Sequence, residues 1–463
     1  MSTTCGPESH PKSYSENPAT PQAPPGSRMF VVQVCLWLLL PLIGHTQALP
    51  ARDGPVGNAD ALELHQAVAT ALEHSPALAG LQAQVEAIRT VPSQAGALPD
   101  LMLSLNAMNL PTDSFSVGQE AMTQMQVALS QSFPFPGKRK LRREADEYRV
   151  EAANSMLVER RMAIIGDVRA VWWQLMNLDR ALQIVEQNKD LMRDFVDIAL
   201  TKYKVGNGLQ QDVLLAQLEL SRLLDRELRL QGLRRGTQAE LNALMGRPAN
   251  WAVTLPTVAP NTILPELPPE SQLLQQAGSG RALIDVQRDL VEAARAKLDL
   301  AKKDRYPDLK LGVGYGFRQG DDPLRGTDRS DLLSVMLSIN LPIYSGSKQS
   351  KAVEQRSHEV SRQTFILHDT LRSVEATVSK TFANYHAARD QVELLQTAII
   401  PQAQQTVSSM LAGYQVNEVD FLSVVNTQIT LYNAQINYWE SLSRAKQALA
   451  YLASAIGMEA LYE

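Results

Sequence analysis

The chain repeats its own landmarks, and this duplication restricts the folds open to it more than any other feature. A Pro-Asp-Leu motif at 99–101 returns at 307–309, and Pro134 returns as Pro342, both with a shift of 208 residues. Recurrence in one order at a nearly constant shift indicates two copies of one structural unit. A turn motif recurs with a shift of 211 residues, as Tyr203-Lys204-Val205-Gly206 and as Tyr414-Gln415-Val416-Asn417.

The duplication divides the chain into a leader, two repeats and a connector. We predict a leader with a signal peptide at 1–48, a first repeat at 49–246 and a second repeat at 271–463. The intervening stretch 247–270 holds six prolines. Because proline cannot donate the backbone hydrogen bond of a helix, we predict an irregular connector there.

The leader has the character of an export signal. Its apolar run at 34–43 is followed by Thr-Gln-Ala at 46–48, which is typical of a cleavage site. The run is shorter than the roughly 20 residues that a membrane-spanning helix needs. The only cysteines, Cys5 and Cys35, lie in the leader. The mature protein is therefore expected to lack disulfides and thiolate metal sites.

Each repeat contains one long stretch with helical character. Residues 137–204 include no proline, and their apolar residues recur every third or fourth position. A helix of this length is on the order of 100 Å long. The counterpart at 348–411 contains Pro401, where we expect a kink or break. Such helices would suit a cytosolic helical scaffold as well as an exported protein, so the choice between these two classes depends on the predicted strands.

Four segments of about ten residues alternate between apolar and polar side chains, as β-strands with two unlike faces do. Ten residues is about the length of a tilted strand that crosses a bilayer with one row toward lipid and one toward a lumen. An amphipathic sheet over a soluble core would also alternate, and it stays the alternative. The predicted strands are at about 100–109, 123–134, 308–319 and 331–342. The predicted lumen positions are Lys310, Gly312, Gly314 and Arg318.

Four strands per chain also predict how copies assemble. Unpaired strand edges are very costly in hydrocarbon, so a four-stranded sheet must close by sharing its edges with other copies. Two copies would give eight strands and a filled interior, whereas three give twelve strands and an open lumen. A conduit therefore implies a homotrimer. The predicted fold class is mainly α with transmembrane β, built from duplicated helix-strand-strand-helix repeats.

With these features the chain resembles the outer-membrane efflux protein (TolC) family. The specific elements are the duplication, the two strand pairs, the two turn motifs and the stretch 421–435. The strand-to-helix segment 130–139 resembles the CzcC-like heavy-metal branch. The resemblance implies a trimeric twelve-stranded β-barrel that continues as a long α-helical barrel across the periplasm. It also implies a periplasmic adaptor (membrane fusion) protein and an inner-membrane pump of the resistance-nodulation-division (RND) type as partners.

In such proteins the two turn motifs lie at the periplasmic tip, where adaptors dock and the tunnel narrows. The resemblance therefore assigns contact roles to Tyr203, Gly206, Tyr414 and Asn417; plain helix–helix turns are the alternative. The family's narrowing aspartates correspond here to Ser423 and Asn426, which carry no charge. A substitute ring of carboxylates could come from Asp212 or Asp420.

The sequence offers no enzyme constellation. Hydrolase, metalloprotease and phosphate-loop motifs are absent, the histidines are scattered, and we expect neither a cofactor nor a metal site. The net charge of −5 provides no basic field for nucleic acid. The predicted function is a passive exit duct in the outer membrane of a Gram-negative cell, with heavy-metal cations as the favoured substrate. The alternatives are a soluble periplasmic coiled-coil adaptor and a type I secretion outlet.

Overall fold

We describe the protein from a computed structural model, which covers residues 61–322, 324–416 and 418–462. The predicted leader at 1–48 and the turn residue Asn417 lie outside these residues. Within the described part, no helix is both long and apolar enough to cross a membrane.

The two repeats have the same order of elements: helices, two strands, then an antiparallel pair of long helical segments, the first of which is divided into α8 and α9 in the second repeat. The first repeat comprises α1 Leu64–His74, α2 Pro76–Arg89, α3 Val91–Gly96, β1 Met102–Met108, β2 Gln124–Phe133, α4 Lys138–Lys204 and α5 Gln210–Leu244. The second comprises α6 Glu270–Gly280, α7 Ala282–Lys303, β3 Leu309–Phe317, β4 Leu332–Ile339, α8 Gln349–Leu394, α9 Ile400–Gln415 and α10 Phe421–Ile456. The prediction of a mainly α fold with duplicated helix-strand-strand-helix repeats is confirmed.

The long helix α4 packs against α1, α2, α3, α5, α7 and α10 and so joins helices of both repeats. Its middle section places Trp172 and Trp173 in the core, each almost completely buried. The indole N–H of Trp172 donates to the Leu62 carbonyl at 3.1 Å, and that of Trp173 donates to the Tyr462 hydroxyl at 2.7 Å. Both ends of the described chain are therefore fixed to one helix. Burying two indoles with their polar atoms satisfied gives this section a large apolar stabilisation.

The helix interruption that we expected at Pro401 takes the form of a π-helical turn. Residues Leu395–Ile399 form this turn, and α9 begins at Ile400 with Pro401 in its first turn. Because proline has no N–H to donate to the carbonyl four residues earlier, the regular helical hydrogen-bond pattern is interrupted here, and the π-helical turn lies at that interruption. The flanking residues Leu394, Ile399 and Ile400 keep right-handed helical dihedrals, so the backbone stays helical across the site.

The connector between the repeats is irregular but packed. Val253 and Leu255 are buried in the core cluster of α4. Farther on, the Tyr385 hydroxyl of α8 donates to the Pro265 carbonyl at 2.5 Å, and the Lys446 ammonium of α10 donates to the Ile263 carbonyl at 2.8 Å. The proline-rich stretch thereby joins helices of both repeats.

The strands form one antiparallel sheet in the order β1-β2-β3-β4. Each strand is shorter than the alternating segment in which it lies. The central contact, β2 with β3, joins the two repeats, and β1 and β4 are the edges. The two hairpins share one register: Met102 lies opposite Ser130 in the first, and Lys310 opposite Ser338 in the second.

Candidate functional site

The two central strands of the sheet, β2 and β3, expose their apolar residues and bury most of the residues on the opposite, polar face, the reverse of a sheet that covers a soluble core. Along β2, Gln124, Gln126, Ala128 and Ser130 are buried, whereas the apolar residues between them are exposed. Gln126 is 6% exposed and its neighbour Val127 is 39% exposed. Exposing so many adjacent apolar side chains to water is unfavourable. A contiguous apolar patch of this kind marks contact with a membrane or another protein.

The exposed apolar residues line up across all four strands because the register brings like rows together. Leu103, Leu129, Val313 and Val335 form one cross-strand row. The next row toward the hairpin loops is also apolar on all four strands, whereas the next row toward the helices contains Gln131 of β2 opposite Leu311. Apart from Gln131, the face carries a band of large apolar side chains. Its other exposed members are Leu101, Leu105, Met125, Val127, Phe133, Leu309, Leu311, Tyr315, Phe317, Leu333, Leu337, Ile339 and Leu341.

The glycines of β3 lie on the opposite face, under side chains of β2. A Cβ atom at Gly314 would lie 2.7 Å from Nε2 of Gln126, and one at Gly312 would lie 3.3 Å from Cβ of Ser130. A side chain at Gly314 would force the flexible end of Gln126 to move, and one at Gly312 would make a tight contact with Ser130. The glycines therefore accommodate the glutamine and serine side chains of the neighbouring strand.

The two cationic residues of the predicted lumen row occupy different settings. Lys310 lies on the polar face within β3, opposite Ser132 and Ser338. Arg318 follows the last residue of β3, and its guanidinium donates to the carbonyls of Ser330 and Ala121 at 2.7 and 3.2 Å. Arg318 thus joins the loops that follow β1 and β3.

A second arginine strengthens that joint between loops, and the sequence motifs did not point to it. Nη1 of Arg329 lies within hydrogen-bond distance of three carbonyls: Gly118 at 3.1 Å, Glu120 at 3.0 Å and Gln319 at 3.2 Å. The two hairpin loops are therefore held together as one unit at this end of the sheet.

At the other end, a polar junction connects the strands to the helices. The Asp308 carboxylate accepts from the backbone N–H of Phe135 at 2.8 Å and from the Lys138 ammonium at 2.9 Å. Lys138 is 2% exposed and also donates to the Tyr306 carbonyl at 3.0 Å. The rings of Phe135 and Tyr306 stack at 4.6 Å. This junction fixes the start of α4 against the start of β3, and the recurring Pro-Asp-Leu motif was its signal in the sequence.

The two turn motifs meet at the far end of the long helices. The Lys202 ammonium donates to the Tyr414 carbonyl at 2.8 Å and lies 3.9 Å above the Tyr414 ring. The tyrosines themselves differ: Tyr203 is 46% exposed, whereas Tyr414 is 7% exposed and packs against Phe421. Gly206 has a φ of +76° with open space around it, which lets the chain reverse between α4 and α5.

The four predicted constriction residues lie at the starts of α5 and α10. Asp420 is the N-cap of α10 and accepts from the backbone N–H of Ser423 at 2.6 Å. Hydrogen bonds from Ser423 lower the pKa of the Asp420 carboxyl, so it stays ionised. Asn426 is exposed one turn farther along. Asp212 lies in the first turn of α5. Burial, and then the charge of Asp212, raise the pKa of the Tyr414 hydroxyl.

Nothing in the described residues resembles a metal centre, since no group of three or more His, Cys, Asp or Glu side chains is arranged to hold an ion. The arrangement that stands out is structural: an apolar-faced sheet at one end, long helices, and paired turns at the other end. An exposed apolar face on a sheet of this kind favours contact with lipid.

A family model described as "Outer membrane efflux protein" matches residues 67–247 and 273–458. The chain belongs to this family. It is therefore an efflux channel of the outer membrane and not an enzyme. The two matched segments coincide with the two repeats, and the gap between them falls on the connector.

Similar proteins support the same assignment. Protein CyaE of Bordetella pertussis is 24% identical over 72% of this chain and 71% of its own length. The cobalt-zinc-cadmium resistance protein CzcC of Cupriavidus metallidurans is 22% identical over 69% of this chain and 74% of its own length. The crystal structure of the outer membrane protein VceC from Vibrio cholerae shares the fold at 20% identity, with a TM-score of 0.71 over 86% of this chain and 97% of that one.

Proposed function

We propose that three copies of this chain form a passive exit duct whose twelve strands close into a barrel in the outer membrane. The observation that carries the proposal is the inverted sheet. Its apolar face needs lipid, and its edge strands need partners, because an open edge in hydrocarbon leaves backbone N–H and C=O groups without hydrogen bonds. Three copies supply twelve strands, which is enough for an open lumen.

The polar face of the sheet would then line the lumen. Lys310, Gly312 and Gly314 belong to that face, and Arg318 lies at its loop end. The helices would continue the lumen as a helical barrel across the periplasm. The duct performs no chemistry, and an inner-membrane pump of the RND type would supply the energy.

The tip turns would form the contact with a periplasmic adaptor. Tyr203 and the adjacent exposed residues Val205, Leu209 and Val416 give this end an apolar surface. Tyr414 would act indirectly by packing beneath that surface. Gly206 permits the turn, and we assign Asn417 to the same contact region on the basis of the motif.

Closure of the tunnel would involve the starts of α5 and α10. Asp420 is ionised and exposed, so it can contribute to a ring of three negative charges, which would attract cations. Asp212, Ser423 and Asn426 would line the same opening. Heavy-metal cations are the proposed substrate class, supported by the similarity to CzcC, with a type I secretion outlet as the second candidate, supported by the similarity to CyaE.

Deletion of the gene in the bacterium that encodes it tests the proposal. The expected result is sensitivity to Co²⁺, Zn²⁺ and Cd²⁺ with intracellular accumulation of these ions, and both should be reversed by the intact chain. A second test uses the variant Tyr203→Ala, which changes the proposed adaptor contact. It should reach the membrane as a trimer but restore export poorly.

If the deletion leaves metal tolerance unchanged but abolishes secretion of a protein, the transported substrate is a protein and not a metal ion. The proposal of a trimeric duct would still stand. A chain that is monomeric in the outer membrane when treated with a lysine-reactive crosslinker would contradict the duct itself.

A further inference from the structure

We propose that Lys303, Arg305 and the start of α4 form a binding site for the phosphate of an anionic phospholipid, at the end of the sheet that joins the helices. This inference rests on the proposed barrel in the membrane. It adds the class of lipid that the barrel binds and the residues that recognise it.

Basic residues are concentrated at the helix end of the two central strands. The segment 134–143, which follows β2, has five basic residues and no acidic residue. The segment 302–308, which precedes β3, has three basic and two acidic residues. At the opposite end of the sheet, the loops 109–123 and 318–331 together have three basic and six acidic residues. The charge therefore changes sign along the sheet, and its helix end attracts anions.

Aromatic side chains lie between the apolar band and these charges. The band reaches this end with Phe133 opposite Leu309, and both residues are exposed. Just beyond them the rings of Phe135 and Tyr306 stack at 4.6 Å, and Tyr306 is 52% exposed. Aromatic residues that border a lipid-facing apolar band are typical of the level of the lipid headgroups. The neighbouring basic residues then lie at the level of the lipid phosphates.

Lys303 and Arg305 can both bind an anion. Lys303 makes no hydrogen bond or ion pair with a described residue. Arg305 is exposed and likewise has neither kind of contact within the described part of the chain. The two carboxylates of the segment, Asp304 and Asp308, both face the Lys138 ammonium, at 3.4 and 2.9 Å. Neither carboxylate forms an ion pair with Lys303 or Arg305.

The start of α4 lies beside Lys303 and provides further attraction for an anion. Gly137 is the N-cap of α4 with a φ of +90°, and a Cβ atom there would lie 3.1 Å from Nζ of Lys303. The same ammonium lies 6.0 Å from the centre of the Phe135 ring. No side chain caps α4, and its first turn contains no acidic residue. Backbone N–H groups at a helix start bind phosphate, and an adjacent lysine strengthens that attraction.

The first repeat indicates that the fold does not require these two cations. The shift of 208 residues maps Lys303 onto Ala95 and Arg305 onto Ala97. In both repeats the Pro-Asp-Leu motif follows, and a strand begins at its end or just after it. The same entry into a strand is therefore built once with small apolar residues and once with basic residues.

An anionic phospholipid is the occupant that fits all of these features. Its phosphate accepts hydrogen bonds from arginine and lysine, and its acyl chains can cover the adjacent apolar band. A free phosphate ion would leave that apolar surface uncovered. The site lies between β2 and β3 of one chain, so it does not need a second copy.

Charge removal tests the site. The variant Lys303→Ala/Arg305→Ala places the residues of the first repeat at both positions. The matched control, Arg325→Ala/Arg372→Ala, also removes two exposed cations, one from a loop and one from α8. A third variant, Arg305→Lys, keeps the charge. Each full-length protein is inserted into phosphatidylcholine vesicles, transferred to neutral detergent and titrated with phosphatidylglycerol. Native mass spectrometry measures the bound lipid, and inorganic phosphate is added as a competitor.

The unchanged protein, the control and Arg305→Lys should bind phosphatidylglycerol with similar affinity. The double-alanine variant should bind it about 30-fold more weakly, as expected for the loss of two basic residues near an anionic headgroup. Unchanged affinity in the double-alanine variant, or an equal loss in the control, would overturn the site. Displacement of the lipid by an equal concentration of inorganic phosphate would overturn the choice of a lipid.

Insertion into the vesicles separates this failure from that of the barrel. If the unchanged protein inserts but shows no preference for phosphatidylglycerol over phosphatidylcholine, the site is wrong and the barrel stands. If the unchanged protein does not insert, both proposals are wrong.

Discussion

A single arginine on the exposed face of the sheet distinguishes a lipid-facing surface from a soluble one. Val335 is 76% exposed, lies in the interior of β4 and belongs to the apolar band. If this band faces water, Val335→Arg should change the free energy of unfolding little. If it faces lipid, an arginine near the bilayer midplane costs about 2–4 kcal/mol. At about 1.4 kcal/mol per factor of ten, the equilibrium ratio of folded to unfolded protein should fall roughly 30- to 700-fold.

The matched control is Met336→Arg, on the adjacent residue and the opposite face. Met336 lies opposite Gly312 on the face that we assign to the lumen, so its replacement should cost less than about 1 kcal/mol. The assay is urea unfolding of the purified protein in lipid vesicles, followed by tryptophan fluorescence. Equal unfolding free energies for the two variants would refute the assignment of the faces.

Four further substitutions test buried polar groups and their partners. Burial lowers the pKa of Lys446 to about 8, so between pH 8 and 10.5 the unfolded chain carries a proton that the folded chain lacks. Stability should therefore rise with pH across that window by about 1.4 kcal/mol per unit, and Lys446→Met should abolish the slope in thermal melts; a slope that persists would contradict this origin. The Tyr414 hydroxyl is buried and has no hydrogen-bond partner among the residues that the structure describes, so Tyr414→Phe should leave the unfolding free energy unchanged or raise it by about 1 kcal/mol. A clear loss in urea titrations would contradict the packing described. Asp308→Ala should cost about 3 kcal/mol because it leaves Lys138 buried beside a weaker partner, and adding Lys138→Met should recover much of that loss in the same titration.

The duplicated fold could be predicted from the sequence because the patterns that indicate its helices and strands are local. Alternation with a period of two marks the strands, and a proline-free stretch with apolar residues every third or fourth position marks α4. At Pro401 the sequence predicted a kink or break, but it did not predict that a π-helical turn would form there. Proline signals that the regular hydrogen-bond pattern must change, but the way in which the neighbouring residues absorb that change depends on packing.

The candidate residues were harder to predict because their settings depend on distant contacts. Tyr203 and Tyr414 occupy the same place in one motif, yet one is exposed and the other packs against Phe421. Gly312 and Gly314 of β3 were predicted as lumen positions, and only the structure shows that side chains of β2 lie over them. Likewise, Asp308 and Lys138 are 170 residues apart, and only the fold shows that they meet.

The most direct test of the central claim is electron cryomicroscopy of the protein extracted from outer membranes in detergent. The account predicts a threefold particle in which twelve strands close around a lumen, with Val313 and Val335 toward the detergent belt and Lys310 toward the axis. A particle with one chain, or a closed barrel with its apolar band turned inward, would contradict it.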